Sequence, residues 1–224
     1  MPNRIGVWNK IKMQKTNFQL QTNAVLNSLA AQNKRESLLL HACCAPCASY
    51  VLEYLTHYFN ITVFFSNSNI TNANEYQKRL QALYRLCSLA PFCKGVAVVA
   101  DDYNPQSFFA AAKGLEKEPE GGVRCTACFE LRLGRAAQYA AENGFSYFAT
   151  SLSISPYKNA ALLNSIGEGL AKKYGSLWLP ADFKKRGGYQ RSIELCRQYG
   201  IYRQHYCGCA FSQPANRTSD EQEK

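Results

Sequence analysis

Long apolar runs are missing from this 224-residue chain, and none approaches the roughly 18 residues that a membrane-spanning helix needs. The opening residues MPNRIGVWNKIKMQKTNF lack the unbroken apolar core and small-residue cleavage site of a secretory signal. A cytoplasmic protein with no membrane partner is therefore expected. Acidic side chains are absent from residues 1–35, which carry six Lys and Arg. Glycine is absent from HACCAPCASY, the stretch after the first strand-like run. That speaks against a glycine-lined phosphate loop and against nucleotide binding at that point. No internal repeat and no second domain are visible.

What is present suits one globular domain: 46% of residues are hydrophobic and 19% charged. Apolar runs at Leu38–His41, Thr62–Phe65, Val96–Ala100, Tyr147–Thr150 and Leu177–Leu179 read as buried strands. They alternate with helical stretches near Ala48–Tyr58, Ala73–Ser88, Pro105–Lys113, Arg124–Asn143, Pro156–Tyr174 and Tyr189–Tyr199, and one short helix is expected around Ala24–Ala31. Alternation of this kind predicts an α/β fold, a mostly parallel sheet covered on both faces. The expected organisation is a basic N-terminal arm over 1–35, a single α/β catalytic domain over 36–212 and a polar, disordered tail over 213–224.

The net charge of +10 is concentrated: residues 1–35 and 155–211 each carry +6, and the rest is near neutral. Two basic blocks around a neutral middle suit a polyanion lying across the site; a merely basic, soluble surface is the alternative.

Ten cysteines in a chain expected in a reducing compartment point to metal or redox chemistry more than to a disulfide framework. LLLHACCAPCASY places Cys43, Cys44 and Cys47 just past the first strand, where parallel sheets build their sites. GGVRCTACFELRL places Cys125 and Cys128 at a helix start, on one face, where the helix terminus and Arg124 would favour thiolates. With Cys43 and Cys44 they complete four thiolates, which suit tetrahedral zinc or a [4Fe–4S] cluster. The vicinal pair departs from the zinc-knuckle pattern and favours iron–sulfur. QHYCGCAFS supplies Cys207 and Cys209, a redox-active pair on first reading and extra metal ligands on the second.

In SLSISPYKNA, Ser155 as N-cap, Pro156 at the first helical position and Lys158 suit a phosphate site, or a plainly capped helix. In ADFKKRGGYQRS, Lys184, Lys185, Arg186 and Arg191 beside Tyr189 suit a nucleic-acid backbone with a base stacked on the ring; a solvated turn competes.

Over about Leu38 to Ser212 the chain resembles the cobalamin-independent, QueH-type epoxyqueuosine reductases. The resemblance rests on LLLHACCAPCASYVLEYL, GLEKEPEGGVRCTACFELRL, SYFATSLSISPYKNA, ADFKKRGGYQRSIEL and YRQHYCGCAFS, in that order. It implies reduction of epoxyqueuosine to queuosine in tRNA, the last step of the pathway, at the wobble position of tRNAs for Asp, Asn, His and Tyr. It implies a [4Fe–4S] cluster on Cys43, Cys44, Cys125 and Cys128, and a redox-active disulfide between Cys207 and Cys209. It also suggests one further mononuclear metal ion, iron or zinc, with Cys47 as a candidate ligand. An electron donor, not identifiable from the residues, is required. The implied fold is a Rossmann-like three-layer sandwich resembling the adenine-nucleotide α-hydrolase and PP-loop proteins. Ser68 in FFSNSNI replaces a proline expected in that turn, which puts the rigidity of the loop in doubt. A tRNA-thiolating or adenylating PP-loop enzyme is the enzymatic rival, but HACCAPC occupies the place of its SGGxDS-like loop. A zinc-stapled RNA-binding protein is the non-enzymatic one.

Overall fold

The computed structural model describes residues 16–212. Five strands, β1 (Glu36–His41), β2 (Phe59–Phe65), β3 (Ala97–Ala100), β4 (Tyr147–Thr150) and β5 (Leu177–Trp178), form one sheet in the order β3-β2-β1-β4-β5. Every pairing is parallel. Seven α-helices are present among the described residues: α1 (Phe18–Ala31), α2 (Ala45–Leu55), α3 (Ala73–Leu89), α4 (Pro105–Ala112), α5 (Val123–Glu142), α6 (Ala160–Tyr174) and α7 (Gly188–Tyr199).

The two-residue period of the strands separates two cores. Leu38 and Leu40 of β1 point into a core shared with α1, α2, α3 and α7, whereas Leu39 packs with Phe64, Phe148, α5 and α6 on the other face. All three leucines are fully buried, and each such side chain contributes about 2 kcal/mol. A parallel sheet with helices on both faces is a Rossmann-like three-layer α/β/α sandwich, as expected. No helix of the described residues is long and apolar enough to cross a membrane.

Strand order reverses between β1 and β4, so the loops leaving those strands diverge and open a crevice at the sheet's C-terminal edge. Cys43 and Cys44 follow β1 there. The turn Ser151–Ile154 follows β4.

Four element starts differ from expectation by three residues or more; one is α2, which begins at Ala45 rather than Ala48 because Cys44 is its N-cap residue. Strand β2 begins three residues earlier, because Phe59, Asn60 and Ile61 continue the ladder against Glu36, Ser37 and Leu38. Helix α1 begins at Phe18 and buries Leu26 and Leu29 in the larger core, and its Thr22 hydroxyl donates to the Pro180 carbonyl at 2.6 Å. The second half of the expected basic arm thus packs onto the domain, while residues 1–15 and the tail 213–224 lie outside the described residues. Helix α6 begins four residues later than Pro156, at Ala160: its N-cap is Asn159, whose side chain accepts from the Ala161 and Leu162 amides. Ser155 instead closes the preceding turn, its hydroxyl accepting from the Tyr157 amide.

Candidate metal and redox site

A cavity of about 550 Å³ opens at the crevice, lined among others by Cys43, Cys47, Arg79, Arg132, Lys158 and Cys207. Tyr157, four-fifths exposed, and Tyr189 belong to the same lining.

Helix α2 delivers the first cysteines. Cys44 is its N-cap residue in extended conformation, with Pro46 in the first turn, so Cys43 and Cys47 flank the helix start. The sulfurs of Cys43, Cys44 and Cys47 all lie within 4.8 Å of one another, with Cys43 and Cys44 at 3.5 Å. Tetrahedral thiolates about 2.3 Å from a zinc ion sit roughly 3.8 Å apart, so these three match the reach of one ion. Hydrogen bonds from the Cys44 and Cys47 thiols hold Cys43 well below the usual thiol range, while Cys47 is pushed up by the same coupling and Cys44 chiefly by burial.

Cys125 and Cys128 lie one turn apart at the start of α5, as read from their spacing, but outside this compact group. The Gly121 amide donates to the Cys125 sulfur at 3.2 Å. Burial pushes the Cys128 thiol up to about 11. Arg124, expected to favour thiolates, is engaged elsewhere. Its guanidinium donates to the carbonyls of Leu115, Glu116 and Glu118 and stacks over Phe211. A cation that does serve the cysteines is Arg132, 2% exposed, which donates to Asn67 Oδ1 at 2.5 Å. Burial disfavours its charge, but Cys128, Cys43 and Cys207 outweigh it and keep the guanidinium protonated.

The loop carrying Cys207 and Cys209 is clamped from α3. Arg79, also 2% exposed, donates to the carbonyls of Cys207 at 2.9 Å and Tyr206 at 3.2 Å, and pairs with Glu75 at 2.6 Å. The Thr71 amide donates to the Gly208 carbonyl, and Asn69 Nδ2 to that of Cys207. The loop around Ser68 is fixed without proline: Asn67 Nδ2 donates to the Ala42 carbonyl, and both asparagines are buried. Gly208 has φ of +108°, a conformation that favours glycine. Cys209 is buried against Phe108, Ala112 and Cys128, whereas Cys207 faces the cavity.

Lys158 lies beside Cys207. Its ammonium sits 3.7 Å from the Cys207 sulfur and 3.2 Å from Glu120. Lys184 donates to the carbonyls of Ser153 and Lys158 and pairs with Asp182 at 2.8 Å. Arg191 pairs bidentately with Glu53 and also with Glu194. Lys185 and Arg186 are exposed, as is Tyr189. His41 is fully buried between the Thr150 hydroxyl and the Ser66 carbonyl, and burial pushes it down to about 3, so it stays neutral.

Sequence reasoning missed Arg79, Arg132 and Glu120. Arg79 sits four residues from Glu75, the signature of a surface helix pair, and nothing in the pattern marks it as buried. Arg132 falls on the apolar face of α5 among Phe129, Leu133 and Ala136, a position where a charge signals a function.

The sequence profile described as epoxyqueuosine reductase QueH matches residues 38–215. An epoxyqueuosine reductase QueH of Streptococcus pyogenes serotype M1 is 44% identical over 201 residues, 89% of this chain and 79% of that protein. One of Staphylococcus aureus strain Mu50 is 43% identical over 95% of this chain and 90% of its own length. One of Thermotoga maritima is 35% identical over 79% and 90%. Likeness of this extent, across the segments that build the cavity, places the chain in the epoxyqueuosine reductase QueH family of oxidoreductases.

Proposed function

We propose that the protein removes the epoxide oxygen of epoxyqueuosine in tRNA as water, leaving queuosine, the last step of its biosynthesis, in the cytoplasm. The substrates of this reading are the tRNAs for Asp, Asn, His and Tyr. The observation that carries it is the convergence of Cys43, Cys47, Cys207 and the buried Arg132 on one cavity.

The thiol-rich donor set suits iron–sulfur or zinc, since soft thiolates select these groups. In this reading Cys43, Cys44, Cys125 and Cys128 hold a [4Fe–4S] cluster and Cys47 contributes to a mononuclear iron or zinc ion. Such groups supply one-electron transfer and Lewis acidity toward the epoxide oxygen. Everything else falls to the chain. The reduction consumes two electrons and two protons, and a Cys207/Cys209 dithiol that closes to a disulfide releases that number of each. Arg132 keeps positive charge beside the thiolates, and the Arg79 clamp holds the Cys207 backbone against the cavity wall.

The cysteines lining the cavity are half-buried, so the modified base must leave its stack to reach the sulfurs. Tyr189 and Tyr157 offer ring faces at the lining. Of the cations expected at the RNA, Lys185 and Arg186 are exposed and free for phosphate, whereas Arg191, Lys184 and Lys158 carry internal partners.

Anaerobic purification with iron, sulfide and zinc analysis tests the cofactor. About four irons and four sulfides per chain with absorption near 400 nm are expected. Zinc alone would replace this reading with the zinc-stapled RNA binder. Cys207→Ser and Cys209→Ser should each abolish reduction of epoxyqueuosine tRNA with the visible spectrum unchanged. Turnover surviving both substitutions would remove the pair from the reaction.

A further inference from the structure

The two sulfurs of the redox pair occupy unequal positions. Cys207 lines the cavity, while Cys209 does not and is 7% exposed, walled in by Phe108, Ala112 and Cys128. Lys158 bears on one sulfur only: its ammonium approaches Cys207 at 3.7 Å, held there by Glu120 at 3.2 Å, with the lysine side chain 10% exposed. A cation fixed beside a single sulfur of a pair marks that sulfur as the one that carries negative charge.

We propose that Cys207 is the sulfur at which an external thiol reductant regenerates the dithiol, that Lys158 positions it, and that reductant and tRNA base use the same cavity mouth in alternation. This inference rests on the reading of Cys207 and Cys209 as a redox pair. After a turnover the pair is a disulfide. A reductant thiolate attacks Cys207, the S–S bond to Cys209 breaks, and Cys209 takes up a proton. A second reductant thiolate then attacks the reductant's sulfur in the mixed disulfide. It leaves as the oxidised reductant, and Cys207 is released as a thiolate beside Lys158. Two electrons enter, supplied by two thiols or by one dithiol.

The geometry, which exposes Cys207 and buries Cys209, decides the first attack; the electrostatics favour the second step, in which Cys207 leaves as a thiolate. The Cys209 thiol's hydrogen bond, then Lys158 and Arg132, outweigh burial and lower Cys207 to about 6. Cys209 is pushed far up by the same bond and by burial. Lys158 is itself raised to about 12, because Cys207 and Glu120 outweigh its burial. Because the mouth that exposes Cys207 is also lined by Tyr157 and Tyr189, a bound base closes it to the reductant.

Glutathione disulfide is the probe, with peptide mapping of the adducts on the full chain. Cys209→Ser is expected to accumulate the glutathionyl adduct at Cys207, and Cys207→Ser to carry none at Cys209. In the Cys209→Ser background, Lys158→Met should slow adduct formation at pH 7 about tenfold, through loss of the thiolate, and Lys158→Arg should restore most of it. Saturating tRNA should slow the same labelling. Equal or faster labelling of Cys209, or a rate indifferent to Lys158→Met, overturns the assignment; labelling untouched by tRNA overturns the shared mouth. Serine variants that lack turnover but label at Cys209 refute this inference and leave the redox reading standing. Serine variants that keep turnover refute the redox reading wherever the label falls.

Discussion

Gly208 sits between Cys207 and Cys209 at φ of +108°, and a methyl group there would stand 3.0 Å from Ile70 and 3.1 Å from the Arg79 guanidinium. Both neighbours are buried, and the arginine is already fixed by the Cys207 and Tyr206 carbonyls. Arg79 cannot step aside without breaking the clamp, and Ile70 is packed in the core. Gly208→Ala is therefore expected to cost about 1–3 kcal/mol and to lower turnover through the displaced Cys207. Gly169, with nothing within 4 Å of its added Cβ, lies inside α6, and Gly169→Ala should gain up to about 1 kcal/mol. Urea unfolding of the two variants beside the parent measures the contrast. A Gly208→Ala variant as stable and active as the parent would show that the loop is free to adjust.

Elements were legible where their period was uninterrupted. The strand β4 follows the expected bounds, where the apolar run starts and stops between two serines, and α3 and α5 carry apolar faces at helical spacing. What misleads is the start of α6. Ser155–Pro156 has the look of a helix opening, yet the preceding 3₁₀ turn, capped by the Thr150 hydroxyl on the Leu152 amide, uses Ser155 as its exit. Only the position of β4 in the sheet decides between the two, and local sequence does not contain it. Asn159→Ala should then destabilise the protein by about 1 kcal/mol, through two unsatisfied amides, while Ser155→Ala should cost distinctly less. Thermal melts of the pair decide this; a larger loss at Ser155 would return the cap to the serine.

At the scale of the whole molecule, sequence could assemble the set of cysteines but not their grouping. Cys47 joins Cys43 and Cys44 in space, while Cys128 meets Cys209 through packing that no spacing encodes. Charge shows the same limit: the block over residues 155–211 is basic, yet several of its cations are committed inside the fold. Lys184 serves the Ser153 and Lys158 carbonyls and Asp182, and Arg191 serves Glu53 and Glu194. Lys185 and Arg186, exposed on the turn that leads into α7, remain available to an RNA backbone. Neutralising those two as Lys185→Ala/Arg186→Ala should weaken tRNA binding and flatten the plot of log affinity against log salt by about 1.4, two phosphates at roughly 0.7 each for a single-stranded loop. Lys184→Ala should leave that slope unchanged and lower the melting temperature instead, since it frees two carbonyls and a carboxylate. Fluorescence anisotropy across a salt series, with melting curves for each variant, reads both quantities. A slope that moves with Lys184 and stays fixed without Lys185 and Arg186 would put the RNA on the other side of the turn.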